Sequence, residues 1–115
     1  MRSAVPWLAL VLAACQGPLV SDAVLCRDFA HRLCRSECPV AYNLLGLTSI
    51  ATCDATLNAR TGCDDEAFVL PNRENFLSCR LPLLRVSDDV NAMPACDDVD
   101  EVFRLCPDVQ KFFNP

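Results

Sequence analysis

Ser21–Pro39 reads SDAVLCRDFAHRLCRSECP. Leu25, Cys26, Phe29, Ala30, Leu33 and Cys34 recur at three- and four-residue spacing, which lays an apolar stripe along one side of a helix. Ser21 is a favourable N-cap, and the residue before Pro39 is pushed out of helical geometry. The spacing therefore predicts a helix over Asp22–Glu37. Asp28 and Arg32, four residues apart, form a favourable pair on its outer side.

The same punctuation continues along the chain. Thr48 caps a second helix in which Ile50, Ala51, Cys53 and Leu57 line one side, and Gly62 supplies a left-handed stop. Asn72, after Pro71, opens a short third helix through Phe76, Leu77 and Cys79 to about Arg80, ended by Pro82. Pro94 suits a first helical position, and Cys96, Val99, Phe103 and Cys106 follow on one face until Pro107 stops the fourth. Val109–Phe113 adds a last turn. Leu81–Val86 has extended character, but its proline argues for a loop. The expected fold is all-α, a small disulfide-stapled bundle of four or five short helices. Its core is Phe29, Leu33, Ile50, Leu57, Phe76, Phe103 and the half-cystines.

Composition bounds the function. A chain of 115 residues holds one domain, and with 52% apolar residues, 22% charged residues and three glycines it is globular rather than disordered. The formal charge is −5, and removing the segment that carries Arg2 takes it to −6. An acidic body argues against nucleic acid or anionic lipid headgroups as the main partner, because both need a concentrated basic surface.

The first residues form an export leader. Arg2 and the amino terminus supply positive charge, and Ala4–Ala14 is an apolar run broken only by Pro6. Eleven helical residues span about 16 Å, half of a bilayer's hydrocarbon core. The lone tryptophan, Trp7, lies within this leader. Leu12-Ala13-Ala14-Cys15 resembles the lipobox of bacterial lipoproteins: an apolar residue, two small residues and a cysteine after a short charged and apolar leader. The resemblance covers the first fifteen residues. It implies a signal peptide over 1–14, cleavage before Cys15, and diacylglycerol on the Cys15 thiol with an acylated amino terminus, palmitate being the typical chain. A tether over 15–21 would then join the membrane to a cysteine-rich helical domain over 22–115. Gln16 after the cysteine, rather than Asp, resembles the sorting pattern of outer-membrane destinations. The rival is an ordinary secretory signal cut after Cys15 or Gly17, releasing a soluble secreted protein. From Cys15 to Asp22 the tether reaches at most about 25 Å.

Cysteine arithmetic supports export independently. Setting Cys15 aside leaves Cys26, Cys34, Cys38, Cys53, Cys63, Cys79, Cys96 and Cys106, an even set that reads as a disulfide framework in an oxidising compartment. Zinc would favour Cys-x2-Cys pairs or added histidines; the closest pair is Cys34-x3-Cys38 and the lone histidine is His31. No metal and no cofactor are expected.

Eight cysteines allow 105 pairings, and sequence does not choose among them. The equal spacings Cys53-x9-Cys63 and Cys96-x9-Cys106 resemble the twin segments of coiled-coil-helix proteins. That resemblance implies two antiparallel helices joined by Cys53–Cys106 and Cys63–Cys96, although those proteins have no counterpart to the first helix. Plant-type lipid-transfer proteins share the eight-cysteine helical class, but their adjacent Cys-Cys and Cys-x-Cys are missing here. They carry over only the idea of stapled helices around an apolar cavity.

Catalytic signals are sparse. His31 stands three residues from Cys34, which makes a Cys–His nucleophile conceivable, but a bridged Cys34 leaves His31 a surface or rim residue. No serine-hydrolase elbow, zinc-protease or phosphate-loop motif occurs. The acidic runs Asp64-Asp65-Glu66, Asp88-Asp89 and Asp97-Asp98 with Asp100-Glu101 lack the spaced oxygens and central glycine of a calcium loop. They fall near expected helix starts, where negative charge is favoured. The expectation is a non-enzymatic envelope lipoprotein that reaches the membrane through its lipid and binds another envelope or extracellular protein. The alternative is a carrier or sensor of a small apolar ligand.

Overall fold

A computed structural model describes residues 20–115; the lipobox, Cys15 and the tether up to residue 19 lie outside the described residues. Ser21 caps α1 as its type predicts, its Oγ accepting from the Val24 N–H at 3.2 Å. Helix α1 runs Asp22–Ser36. It ends one residue before the expected limit because Glu37 turns left-handed, with φ 53°. Pro39 then starts rather than merely stops: it is the first residue of α2, Pro39–Leu45, an element the sequence reading assigned to no helix. Proline's missing N–H is no loss in a first turn.

Gly46 closes α2 at φ 62°. Helix α3, Cys53–Thr61, begins later than expected, and Gly62 closes it at φ 84°. Thr48, Ser49, Ile50 and Thr52 are weak helix formers, β-branched or with a hydroxyl that competes for the backbone, and the segment forms a turn instead, with the Cys53 N–H on the Ile50 carbonyl. Ile50, expected in the core, is consequently 57% exposed. Helix α4, Arg73–Arg80, is capped by the Asn72 side chain as expected. The expected loop at Leu81–Val86 instead begins as a 3-10 turn, Leu81–Leu84, whose proline sits at its start. Helix α5 spans Cys96–Leu105, and Pro107 opens a final helix α6, Pro107–Phe113, where one turn was expected. The architecture is thus all-α, six α-helices and a 3-10 turn with no strand among the described residues.

Four bridges staple these helices: Cys26–Cys63, Cys34–Cys53, Cys38–Cys96 and Cys79–Cys106, with Cα atoms 5.8, 5.7, 5.6 and 6.2 Å apart. These separations suit disulfides. The pairings Cys53–Cys106 and Cys63–Cys96 are overturned. An antiparallel pair joined by two rungs is present, but the partner of α3 is α1. The eight helical steps from Cys26 to Cys34 span about 12 Å, as do the eight from Cys53 to Thr61, and the turn at Gly62 then brings Cys63 back to Cys26 for the second rung. Equal spacing in α5 offered no advantage over α1, whose apolar stripe supplies the larger face. Cys96 and Cys106 instead tie α5 to the start of α2 and to α4.

The core gathers around α1. Phe29 of α1 packs on Phe76 of α4 and Phe113 of α6 at ring-centroid distances of 4.6 and 5.6 Å, and Phe76 meets Phe112 edge-on at 5.7 Å. Leu33, Leu57 and Phe103 are buried as expected, joined by Leu45, Leu83, Val102 and Phe113. The chain's end is locked in: Arg60 donates to the carbonyls of Leu45, Gly46 and Phe113. One guanidinium thereby satisfies carbonyls at two helix C-termini, where positive charge is favoured.

Asp28 and Arg32 are paired, but they do not lie on an outer face. Their side chains are 15% and 4% exposed, because the segment Ser87–Asp89 folds over them and gives its carbonyls to the Arg32 fork. Arg80 adds a second guanidinium to Asp28 at 2.6 Å.

Candidate functional site

A groove runs between α4 and the corner where α5 passes into α6. Asn75 and Asp108 divide it, the Asn75 Nδ2 donating to Asp108 Oδ2 at 2.6 Å. On one side a hollow of about 150 Å³ is walled by Pro71, Phe76, Val109 and Phe112. On the other a hollow of about 280 Å³ lies beside the Cys79–Cys106 bridge, between Pro82, Val102 and Leu105. Local sequence explains the walls. Asn72 caps α4 and so aims Asn75, Phe76 and Cys79 along one side of it, while the Cys106-Pro107 break turns the chain and places Asp108, Val109 and Phe112 opposite. Leu105, the last residue of α5, is left 63% exposed at the groove's edge.

No arginine, lysine or histidine lines either hollow. The charge at the groove is the Asp108 carboxylate, whose Oδ1 accepts no hydrogen bond from the described residues. Cys79, Cys106 and Asp108 present potential ligand atoms within 4.8 Å of one another. The two sulfurs are bonded to each other, which leaves one carboxylate rather than a chelating set.

Cys15 lies outside the described residues. All eight body cysteines are bridged, so Cys34 has no thiol to offer His31. His31 is half-buried between Asp54, whose Oδ2 lies 3.0 Å from Nδ1, and Asn91, whose Oδ1 lies 3.1 Å from Nε2. The pair of contacts joins α1 to α3 and to the Val90–Met93 segment. Asp97 and Asp98 occupy the first turn of α5 as expected, and Arg85 clamps Asp98 and Glu101 at 2.9 and 2.7 Å. Asp64, Asp65 and Glu66 depart from expectation: they follow the end of α3 rather than precede a helix, with Glu66 facing Arg27 at 3.3 Å.

Several groups titrate away from their ordinary range. The Leu70 N–H and then the Arg73 guanidinium hold the Asp22 carboxyl below the usual carboxylate range. Arg85 does the same to Glu101. Burial pushes the Tyr42 phenol up, helped by Glu37 and Asp54. None of these groups lies in the groove.

Comparison with protein-family models, curated proteins and solved structures finds no match. Among the described residues, no helix is long and apolar enough to cross a membrane. Four disulfides are those of a chain that folds in an oxidising, extracytoplasmic compartment.

The groove is not legible in the sequence. Its residues belong to two elements whose proximity depends on the Cys79–Cys106 bridge, and Phe112 was read only as part of a terminal turn. One signal was available: Leu105, one turn after Val102, extends the apolar face of α5 past the core, where it is left 63% exposed.

Proposed function

We propose that the chain is a small, lipid-anchored, exported lipoprotein that acts as a non-enzymatic binding module in a bacterial cell envelope, with the outer membrane as its destination. The observation that carries this reading is the cysteine ledger. The eight body cysteines satisfy one another in four bridges, so Cys15 is left over at the end of a leader whose last four residues resemble a lipobox. Lipid attachment accounts for the ninth sulfur without an unpaired thiol. Two or more acyl chains make such an anchor lasting, and the short tether holds the body within reach of the bilayer, which suits a subunit or scaffold.

The groove supports binding over catalysis, since it offers apolar walls and one carboxylate and no paired acid, base or nucleophile. It gives less support to a carrier of a whole apolar ligand. Its hollows are open and below the roughly 300–1,000 Å³ typical of sites that enclose a small molecule.

Intact mass of the membrane-extracted protein tests the reading. The expected chain begins at Cys15, carries acyl groups and gains no label on alkylation without reduction. An unmodified amino terminus at Gln16 or Pro18 overturns it in favour of a soluble secreted protein, and a reactive body thiol overturns the cysteine ledger.

A further inference from the structure

The binding-module reading leaves open what is bound, and the groove narrows it. Phe112, half-buried, lines the same hollow as Asp108, one helical turn from it, with Val109 and Pro71 completing an apolar wall. Asp108 has an oxygen to spare beyond the one that holds Asn75. Helix α5 ends at Leu105, on the groove's other half, and α6 starts at Pro107 in the same corner, so the two helix ends offset each other and the Asp108 carboxylate carries the charge there. With no cation lining either hollow and a net charge of −6 on the body, the groove is complementary to positive charge.

We propose that this groove receives a basic, apolar segment of a partner protein. A lysine side chain of the partner lies along Phe112 and Val109 with its ammonium at Asp108, where carboxylate and aromatic face attract it together. A neighbouring aliphatic side chain fills the half between Pro82, Val102 and Leu105. The long methylene stem of lysine suits such a wall, since it buries hydrocarbon while the charge stays at the rim. Two small open hollows about Asn75 fit successive side chains of a larger partner better than one enclosed small molecule. The inference rests on the binding-module reading and specifies the chemistry of its partner.

The test is a titration of the isotope-labelled, oxidised full chain with the acetylated leucine-alanine-lysine amide, followed through backbone amide shifts. The comparison peptides carry norleucine or glutamate in place of lysine. Saturable shifts confined to residues 71–79 and 102–112 are expected, with the norleucine peptide about 10-fold weaker and the glutamate peptide weaker still. Asp108→Asn and Phe112→Leu should each weaken the lysine peptide several-fold while the bridge pattern stays unchanged, which shows that the variants remain folded. Equal binding of the three peptides, shifts elsewhere on the body, or an unaffected Asp108→Asn overturns the proposal. Intact mass is independent of this titration, so the groove can fail while the lipoprotein reading stands, and the reverse.

Discussion

The Arg32 guanidinium holds the Asp28 carboxylate through Nε, 3.1 Å from each of its oxygens, in the interior of the molecule. At an exposed site such an i,i+4 pair contributes only a few tenths of a kcal/mol. Here the remaining donors of Arg32 meet the carbonyls of Ser87, Asp88 and Asp89 at 3.5, 2.7 and 3.2 Å. The pair therefore works as a clasp between α1 and the segment that leads to α5, and the carbonyls of that segment satisfy the donors of a buried guanidinium.

Replacing Arg32 should expose that role. Arg32→Ala leaves Asp28 with Arg80 alone and takes the donor from the Ser87 and Asp88 carbonyls, while the Asp89 carbonyl keeps the Ala92 N–H; the loss of charge-assisted hydrogen bonds in a largely buried network should be about 2–4 kcal/mol. Hydrogen exchange at residues 87–91 should accelerate well before global unfolding. Arg32→Lys should rescue little, because an ammonium lacks the planar fork that reaches several acceptors at once. A variant that loses less than about 1 kcal/mol would show the segment to be held by other contacts.

The bridge pattern predicts a simple map. Trypsin acting on the unreduced protein should yield three linked species. The segment ending at Arg27 joins 61–73 through Cys26–Cys63, and 74–80 joins 105–111 through Cys79–Cys106. The third species combines 33–35, 36–60 and 86–104 through Cys34–Cys53 and Cys38–Cys96. The coiled-coil-helix pairing would instead link 36–60 to 105–111 and 61–73 to 86–104. Mass spectrometry before and after reduction separates the two maps without ambiguity.

Gly46 joins two constraints at one atom. Its φ of 62° favours glycine, and a Cβ placed there would stand 3.2 Å from the Asn114 Nδ2, which itself donates to the Leu44 carbonyl at 3.2 Å. Gly46→Ala should cost about 1–2 kcal/mol from the left-handed backbone, with an added loss from displacing Asn114. Adding Asn114→Ala should relieve the second part and leave the first. Thermal unfolding of the single and double variants measures the split; strictly additive losses would mean that the Cβ and Asn114 do not meet.

Helix identity was legible where local chemistry acts alone. Ser21 and Asn72 cap the helices they were expected to cap, Gly62 stops α3, and the stripe of α1 is buried residue for residue. What was not legible depends on contacts made far along the chain. Asp28 and Arg32 look solvent-facing on a helical wheel until Ser87–Asp89 covers them. Ile50 looks apolar and helical until the turn over 48–52 shifts the start of α3. Pro39 and Pro107 were read as stops, yet a proline that ends one helix is equally suited to begin the next. The groove needed the Cys79–Cys106 pairing, one of 105 arrangements, before its two walls could be seen to face each other.

Asp22 should make stability depend on acid in a defined direction. The Leu70 N–H at 2.8 Å and the Arg73 guanidinium favour its charged form, so the native carboxyl is depressed relative to the unfolded one. A depressed native value means stability that is fully present above the unfolded value, about pH 4, and is lost as pH falls through the native one. Asp22→Asn should therefore cost about 1–3 kcal/mol at pH 7, the worth of hydrogen bonds to a charged group, and the gap from wild type should narrow progressively under acid. Other depressed carboxyls, Glu101 among them, are common to both proteins and cancel in the difference. Urea unfolding at pH 7 and pH 2.5 measures the gap at each end. A gap that stays constant would assign the role of Asp22 to its shape at the start of α1 rather than to its charge.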